Sequence, residues 1–126
     1  MKILLVDDDV INNELNKFVI ENTGYAKNIE IALNGEEAID LLQKKDETET
    51  PNLIFLDLNM PIMNGFEFLE EYKNMNIPCK ELTKIYILTS SRNEKDLAKA
   101  KNFQIEGYVT KPLTIEKVKT ILNPTG

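Results

Sequence analysis

Three short apolar runs constrain the fold of this 126-residue chain more than any other feature. They occupy residues 3–6, 53–56 and 85–88, and an acidic or hydroxyl side chain follows each of them directly. A strand that is apolar at every position is buried on both faces, as the inner strands of a parallel sheet are. Residues 28–32 and 105–109 are interrupted by polar residues or glycine, which is typical of edge strands.

Apolar residues at helical spacing lie between these strands and after the last one. Start signals support three of the predicted helices, namely Asn34 with Glu37, Ser91 with Glu94, and Thr114. The apolar residues are Ile11, Leu15, Phe18 and Val19 before Gly24; Ala38, Leu41 and Leu42; Phe66, Leu69 and Tyr72 after Asn64-Gly65; Leu97, Ala98 and Ala100; and Ile115, Val118, Ile121 and Leu122.

Five alternating β-α units predict an α/β fold, with a doubly wound five-stranded parallel sheet and helices on both faces. The first, third and fourth strands have inner character, and the second and fifth have edge character. The order 2-1-3-4-5, which is the flavodoxin-like (βα)5 order, satisfies this pattern. The length suits a single domain over residues 1–126 with no output domain, since the fifth predicted helix ends near Leu122.

Composition argues against several functional classes. The net charge of −6 argues against general nucleic-acid binding, which needs a basic face. No stretch approaches the roughly 20 apolar residues of a membrane span, so no membrane partner is expected. Cys79 is the single cysteine, which rules out an intrachain disulfide and favours a reducing, cytoplasmic setting. The absence of histidine excludes His-based catalysis, and with one cysteine it argues against zinc.

Acidic side chains follow two predicted strands at the edge of the sheet where ligands bind in such folds. Asp7, Asp8 and Asp9 follow the first strand, and Asp57 follows the third. Carboxylates at adjacent strand ends repel each other unless a cation neutralises them, and Mg²⁺ (or Mn²⁺) suits an all-oxygen site. We expect Asp8 and Asp57 to bind the ion directly and Asp7 to hold a coordinated water. Asp9 by itself is better explained as a helix cap or a turn residue.

Asp57 also has the chemistry of a nucleophile, because a carboxylate can form an aspartyl phosphate. Phosphoryl transfer mainly needs in-line placement and neutralisation of charge. Lys111, after the fifth strand, could supply a positive charge, and Thr89, after the fourth, could donate a hydrogen bond. Taken singly, Lys111 could equally be a surface lysine and Thr89 a helix-start residue.

Four segments of the chain form a recognisable set, namely residues 3–9 (ILLVDDD), 56–65 (LDLNMPIMNG), 88–90 (LTS) and 107–113 (GYVTKPL). Together they resemble the receiver domains of two-component response regulators, in their stand-alone, chemotaxis-regulator-like form. Each is weak or moderate evidence alone, but all four in this order and at these separations are highly specific. The resemblance spans essentially the whole chain.

The resemblance implies a role for each matching residue. Asp57 is the phosphoacceptor and a metal ligand, and Lys111 pairs with the phosphoryl group. Asp8 is a direct ligand of Mg²⁺, the backbone carbonyl of Asn59 is a further one, and Asp7 assists. The phosphodonor is a phosphohistidine on a sensor histidine kinase or on a histidine phosphotransfer protein. Such a domain is a signalling domain, although it catalyses its own phosphorylation from small phosphodonors and its own dephosphorylation.

The resemblance also implies a conformational switch. Thr89 turns inward to bond the phosphoryl group, and Tyr108 moves from an exposed to a buried rotamer, although Tyr108 could also be a half-buried edge-strand tyrosine. Asn59 and Ser91 occupy the positions that modulate phosphoryl lifetime in the family. The face made by the fourth helix, fifth strand and fifth helix then changes shape for a downstream protein. The resemblance allows a monomer or a phosphorylation-dependent dimer.

The charge distribution fits a partner on that face without requiring one. Residues 92–119 contain seven Lys or Arg and four Asp or Glu, a local excess of three positive charges in an acidic chain. This excess predicts either a basic docking surface for an acidic partner or simply solvated helix faces.

Two other functions use part of the same pattern. A Mg²⁺-dependent phosphatase resembling the haloacid dehalogenase superfamily also has a nucleophilic aspartate, but it needs a second aspartate two residues later, where this chain has Asn59. A pseudo-receiver would fold in the same way and never be phosphorylated. The acidic residues, Thr89 and Lys111 are all present, which argues against this last alternative.

Overall fold

The computed structural model describes residues 1–26, 28–89 and 94–122, in which five strands and five α-helices alternate. The sheet is parallel throughout with the order β2-β1-β3-β4-β5, so the predicted fold class and strand order are confirmed. The strands are β1 Lys2–Val6, β2 Asn28–Ala32, β3 Leu53–Asp57, β4 Lys84–Thr89 and β5 Gly107–Thr110. The helices are α1 Val10–Thr23, α2 Gly35–Gln43, α3 Gly65–Lys73, α4 Glu94–Ala100 and α5 Ile115–Leu122, and a short 3-10 helix, Lys80–Leu82, precedes β4.

The sheet separates two apolar cores, which explains why the inner strands carry no polar positions. Successive side chains of a strand point to opposite faces. In β3, Ile54 and Leu56 pack into one core together with residues of α2 and α3. Leu53 and Phe55 pack into the other core with Ile20 of α1 and residues of α5. All four side chains are buried, so the predicted burial of this strand on both faces is confirmed.

Helix α1 exists where it is predicted, but of the four apolar residues that indicate it only Val19 packs against a core. Ile11, Leu15 and Phe18 are 71%, 58% and 65% exposed. Asn13 and Asn16 are buried instead, on the same face as Ile20. The side-chain amide of Asn13 donates to the carbonyl of Asp7 at 2.8 Å. This bond satisfies a backbone acceptor just past β1, and it turns the polar side of the helix inward.

The start of strand β5 differs from the sequence prediction. Strand β5 begins at Gly107 rather than at residue 105, because Gly107 is the first residue in register with β4, opposite Tyr86. Ile105 packs against one of the cores instead. The predicted cap at Ser91 lies outside the described residues. Within the part of the chain that the structure describes, no helix is long and apolar enough to cross a membrane.

Gly65 lets α3 begin directly against the end of β3. Its amide donates to the carbonyl of Leu58 at 3.0 Å. A Cβ atom at this position would lie 2.7 Å from the carbonyl oxygen of Asp57 and 2.7 Å from the Cα of Leu58. Both neighbours are backbone atoms, so they cannot rotate away. The glycine therefore fixes the path of the chain immediately after Asp57.

We predict that Gly65→Ala destabilises the protein by about 1–3 kcal/mol through overpacking, measured by urea denaturation. Gly107→Ala is the matched control, because a Cβ there would first meet a side-chain atom of Tyr86 at 3.4 Å. Alanine in a strand avoids the entropy cost of glycine, so the control is expected to be neutral or slightly stabilising. Equal destabilisation by the two substitutions would contradict the close approach at Gly65.

Candidate functional site

The ends of β1, β3 and β5 bring acidic and basic side chains together at one edge of the sheet. Asp7, Asp8 and Asp57 each offer a carboxylate oxygen, and these oxygens all lie within 4.8 Å of one another. The ammonium of Lys111 lies 3.0 Å from Oδ2 of Asp7 and 3.5 Å from Oδ2 of Asp57. The convergence follows from the strand order, since β1 and β3 are neighbours and β5 lies beyond β4.

Asp7 is held more firmly than the other acids of the cluster. Its side chain is 1% exposed, and one oxygen accepts from the amide of Asp9 at 3.0 Å while the other accepts from Lys111. Its backbone amide donates to the carbonyl of Ala32 at 3.1 Å, and its carbonyl accepts from Asn13. Asp7 is therefore a fixed negative charge that orients Lys111. The sequence predicts Asp7 in the cluster but not this bond.

Asp8 and Asp9 differ in their surroundings although they are adjacent. Asp8 is exposed at the rim of the cluster. Asp9 caps α1, and its Oδ1 accepts from the amides of Ile11 and Asn12 at 3.0 and 3.1 Å. The interpretation of Asp9 as a helix cap is confirmed.

Asp57 is a buried carboxylate whose charge is poorly compensated. Burial raises its pKa above the ordinary value of 3.8. The positive charge of Lys111 and a hydrogen bond from the amide of Asn59, 3.2 Å from Oδ1, act in the opposite direction, while the charge of Asp7 raises the pKa further. The net shift is upward, so the ionised form of Asp57 lacks the solvation it has in water.

Lys111 is charged in spite of its burial. Burial alone would lower its pKa, but the hydrogen bond to Asp7 and the charges of Asp57 and Asp7 outweigh burial and raise the pKa above 10.5. The amide of Lys111 donates to the carbonyl of Thr89 at 2.7 Å, and the peptide bond to Pro112 is cis. Lys111 is thus a fixed cation between the two carboxylates.

Thr89 and Tyr108, the two predicted switch residues, lie on adjacent strands beside this cluster. Thr89 ends β4, is half-buried, and is in register with Thr110 of β5. The ring of Tyr108 is partly exposed, and its hydroxyl donates to the carbonyl of Leu97 in α4 at 3.1 Å. Asn59 is exposed two residues after Asp57, whereas Ser91 lies outside the described residues. The hydroxyl bond of Tyr108 to α4 is a contact that the sequence does not indicate.

The donor set fits a hard divalent cation. Among the described residues, the cluster contains three carboxylates and the single ammonium of Lys111. Two negative charges therefore remain in excess when all three carboxylates are ionised. Oxygen ligands, including carboxylates that leave room for waters, are what Mg²⁺ prefers. The acids come from β3 and from the loop after β1, which are rigidly connected through the sheet.

Known proteins are similar to this chain in sequence and in fold. Residues 3–123 match the response regulator receiver domain. The chain is 35% identical over 112 residues to response regulator Rcp1 of Synechocystis, a match that covers 86% of this chain and 75% of Rcp1. It is 31% identical over 123 residues to the osmosensing histidine protein kinase SLN1 of Saccharomyces cerevisiae, covering 97% of this chain but 10% of SLN1.

A solved structure is also similar to this chain in fold and in sequence. The crystal structure of a two-component response regulator from Cytophaga hutchinsonii has a TM-score of 0.84 at 33% identity, and the match covers 98% of this chain and 94% of that one. The chain therefore belongs to the response regulator receiver domain family, whose members are signalling domains rather than classical enzymes. Receiver domains generally bind Mg²⁺ and take phosphoryl groups from histidine kinases.

We predict that Asp57→Asn raises the melting temperature at pH 7 in the absence of divalent cations. Because folding raises the pKa of Asp57, the folded state binds a proton more tightly than the unfolded state does. Stability contributed by that proton is present at low pH and is lost as pH rises through the folded pKa. The advantage of the variant over wild type is therefore expected at neutral pH and should shrink toward pH 4, in thermal melts followed by circular dichroism.

Millimolar Mg²⁺ is expected to raise the melting temperature of wild type and to do so less in Asp57→Asn. Asp9→Asn is the matched control, since it removes a charge at the same rim but keeps a good helix cap. A melting temperature of Asp57→Asn below that of wild type without metal, or the same behaviour in Asp9→Asn, would contradict a repulsion centred on Asp57.

Proposed function

We propose that this chain is a phosphorylation switch of a two-component phosphorelay, in which Asp57 accepts a phosphoryl group from a phosphohistidine. The observation that carries the proposal is the arrangement of Asp57, a buried carboxylate with a raised pKa, 3.5 Å from the fixed ammonium of Lys111. Asp57 is thereby poorly solvated and close to a positive charge, as an acceptor of a phosphoryl group should be.

In the proposed transfer, a carboxylate oxygen of Asp57 forms a bond to phosphorus while the bond from phosphorus to the donor nitrogen breaks. The electron pair of that bond leaves with the donor imidazole. Lys111 pairs with the phosphoryl oxygens, and Asp7 keeps its ammonium in place. A Mg²⁺ (or Mn²⁺) ion held by Asp8, Asp57, the carbonyl of Asn59 and, through water, Asp7 would supply the remaining positive charge.

Hydrolysis of the aspartyl phosphate would reset the switch. A water molecule attacks phosphorus, the bond to Asp57 breaks, and inorganic phosphate leaves. Asn59 and Ser91, both short and polar, are proposed to set the lifetime of the phosphoryl group by leaving access for that water. Small phosphodonors such as acetyl phosphate would phosphorylate Asp57 by the same chemistry, because Lys111 provides a positive charge within the site itself.

The switch is proposed to run from Thr89 through Tyr108 to α4. A hydrogen bond from Thr89 to the phosphoryl group would draw this side chain inward and open space for the ring of Tyr108. Turning inward would break the bond from the Tyr108 hydroxyl to the carbonyl of Leu97. Of the seven residues of α4 only Ala100 is buried, so little packing energy opposes a shift of this helix. The face of α4, β5 and α5 would then bind the downstream protein.

The phosphodonor protein is proposed to dock on the exposed apolar residues of α1. We call Val10, Ile11, Leu15 and Phe18 the α1 apolar stripe, since all four are more than half exposed. The stripe starts two residues after Asp8, so it is continuous with the acceptor site. A protein that delivers a phosphoryl group to Asp57 must cover this rim, and burying the stripe would supply hydrophobic binding energy.

The proposal is tested by intact-protein mass spectrometry after incubation with acetyl phosphate, with and without Mg²⁺. We expect a gain of one phosphoryl mass in wild type with Mg²⁺, no gain in Asp57→Asn, and a gain in Asp9→Asn. Labelling of Asp57→Asn equal to wild type would place the acceptor elsewhere. A wild-type chain that binds Mg²⁺ yet is labelled neither by acetyl phosphate nor by any phosphohistidine protein would be a pseudo-receiver.

The docking surface is tested with the histidine kinases and phosphotransfer proteins of the source organism, choosing the donor that transfers fastest to wild type. Ile11→Ser with Leu15→Ser is expected to slow transfer from that donor about tenfold or more, since two anchoring side chains are lost. Labelling by acetyl phosphate should stay unchanged. Leu82→Ser is the matched control, because Leu82 is exposed in the 3-10 helix before β4, at the other end of the strands. Equal slowing with both donors would contradict a docking role.

A further inference from the structure

A second lysine fixes the backbone on either side of Lys111. The ammonium of Lys117, in the first turn of α5, donates to the carbonyl of Thr110 at 2.8 Å and to the carbonyl of Pro112 at 3.2 Å. These two carbonyls belong to the residues immediately before and after Lys111. The amide of Lys111 itself donates to Thr89. The loop that carries Lys111 is therefore tied to β4 by one bond and to α5 by two.

The position of Lys117 is electrostatically unusual for a lysine. It is the third residue of α5, where the positive end of the helix dipole disfavours a cation. The backbone amide of Lys117 donates to the hydroxyl oxygen of Thr114, 3.2 Å away. The two carbonyl bonds of the side chain offset the unfavourable position. They also satisfy acceptors in a loop where Pro112 has no amide to contribute.

We infer that Lys117 is a positioning residue, which holds the 110–112 loop so that the ammonium of Lys111 stays between Asp7 and Asp57. Lys111 lies 0.5 Å closer to Asp7 than to Asp57, at 3.0 and 3.5 Å. A small displacement of its backbone would therefore let it pair with Asp7 alone and withdraw from the acceptor. The effect of Lys117 on phosphorylation rests on the function proposed above, whereas its role in holding Lys111 does not.

The test compares Lys117→Met, Lys117→Arg and Lys119→Met with wild type. Methionine removes the ammonium and keeps much of the stem, while arginine keeps the charge and the donors. Lys119→Met makes the same change of charge at an exposed position two residues along the helix. With acetyl phosphate and saturating Mg²⁺, Lys117→Met is expected to be phosphorylated about threefold more slowly or worse, because misplacing a charge near the reacting atoms is costly. Lys117→Arg should recover most of the rate, and Lys119→Met should match wild type.

Two further measurements separate positioning from general stability. Mg²⁺ affinity, measured by calorimetry, should not fall in Lys117→Met, because the proposed metal ligands lie on other elements and withdrawal of Lys111 from Asp57 reduces repulsion of the ion; a fall would indicate general damage to the site and would contradict positioning. Reductive methylation of Lys111, followed by peptide mass spectrometry without Mg²⁺ or phosphodonor, should be faster in Lys117→Met and normal in the other two variants. Unchanged methylation, or a rate loss that arginine does not recover, would overturn the inference. Absence of phosphorylation in wild type would instead overturn the proposed function, and the methylation result would still decide the role of Lys117.

Discussion

The ion pair between Lys111 and Asp7 joins residues 104 positions apart in the chain, and the rest of the site is arranged around it. Both partners are largely buried, so removing either one would leave an uncompensated charge in a poorly solvated place. The ammonium of Lys111 also stabilises the two carboxylates unequally, because it lies 3.0 Å from Asp7 and 3.5 Å from Asp57. Oδ1 of Asp57 accepts from the amide of Asn59 and Oδ2 has the longer contact with Lys111, so a second cation beside this carboxylate would stabilise its charge further.

The parallel sheet brings these residues together. Asp57 ends β3 and Asp7 follows the neighbouring strand β1, whereas Lys111 reaches them from beyond β5 at the edge of the sheet. The side chains of β1 and β3 are divided between the two cores, so a shift of one residue would exchange the side chains that each core receives and disturb the packing of both. Gly65 adds a local constraint, since it seats α3 against the carbonyl of Asp57. Stability and the geometry of the site thus depend on the same contacts.

The sequence predicts the strands and the converging residues because each rests on a short-range signal. A fully apolar run reports burial on two faces, and the carboxyl ends of parallel strands lie at one edge in any such sheet. The orientation of α1 could not be predicted in this way. Helical spacing identifies the period but not the buried side, which here includes Ile20 in the core and Asn13, whose amide donates to the carbonyl of Asp7. The contacts of Lys117 and of the Tyr108 hydroxyl likewise depend on how a loop and a neighbouring helix are placed.

Lys117 connects the site around Lys111 with the proposed face for the downstream protein. Helix α5 contributes to the proposed face for the downstream protein, and the same helix holds the backbone around Lys111 through Lys117. A protein bound to α5 that shifted its first turn would alter the distance between Lys111 and Asp57. Linkage makes this coupling reciprocal: when phosphorylation of Asp57 strengthens binding of the partner, binding of the partner favours the phosphorylated state by the same factor. Lys117 supplies a direct physical contact through which that coupling can pass, independent of the route through Thr89 and Tyr108.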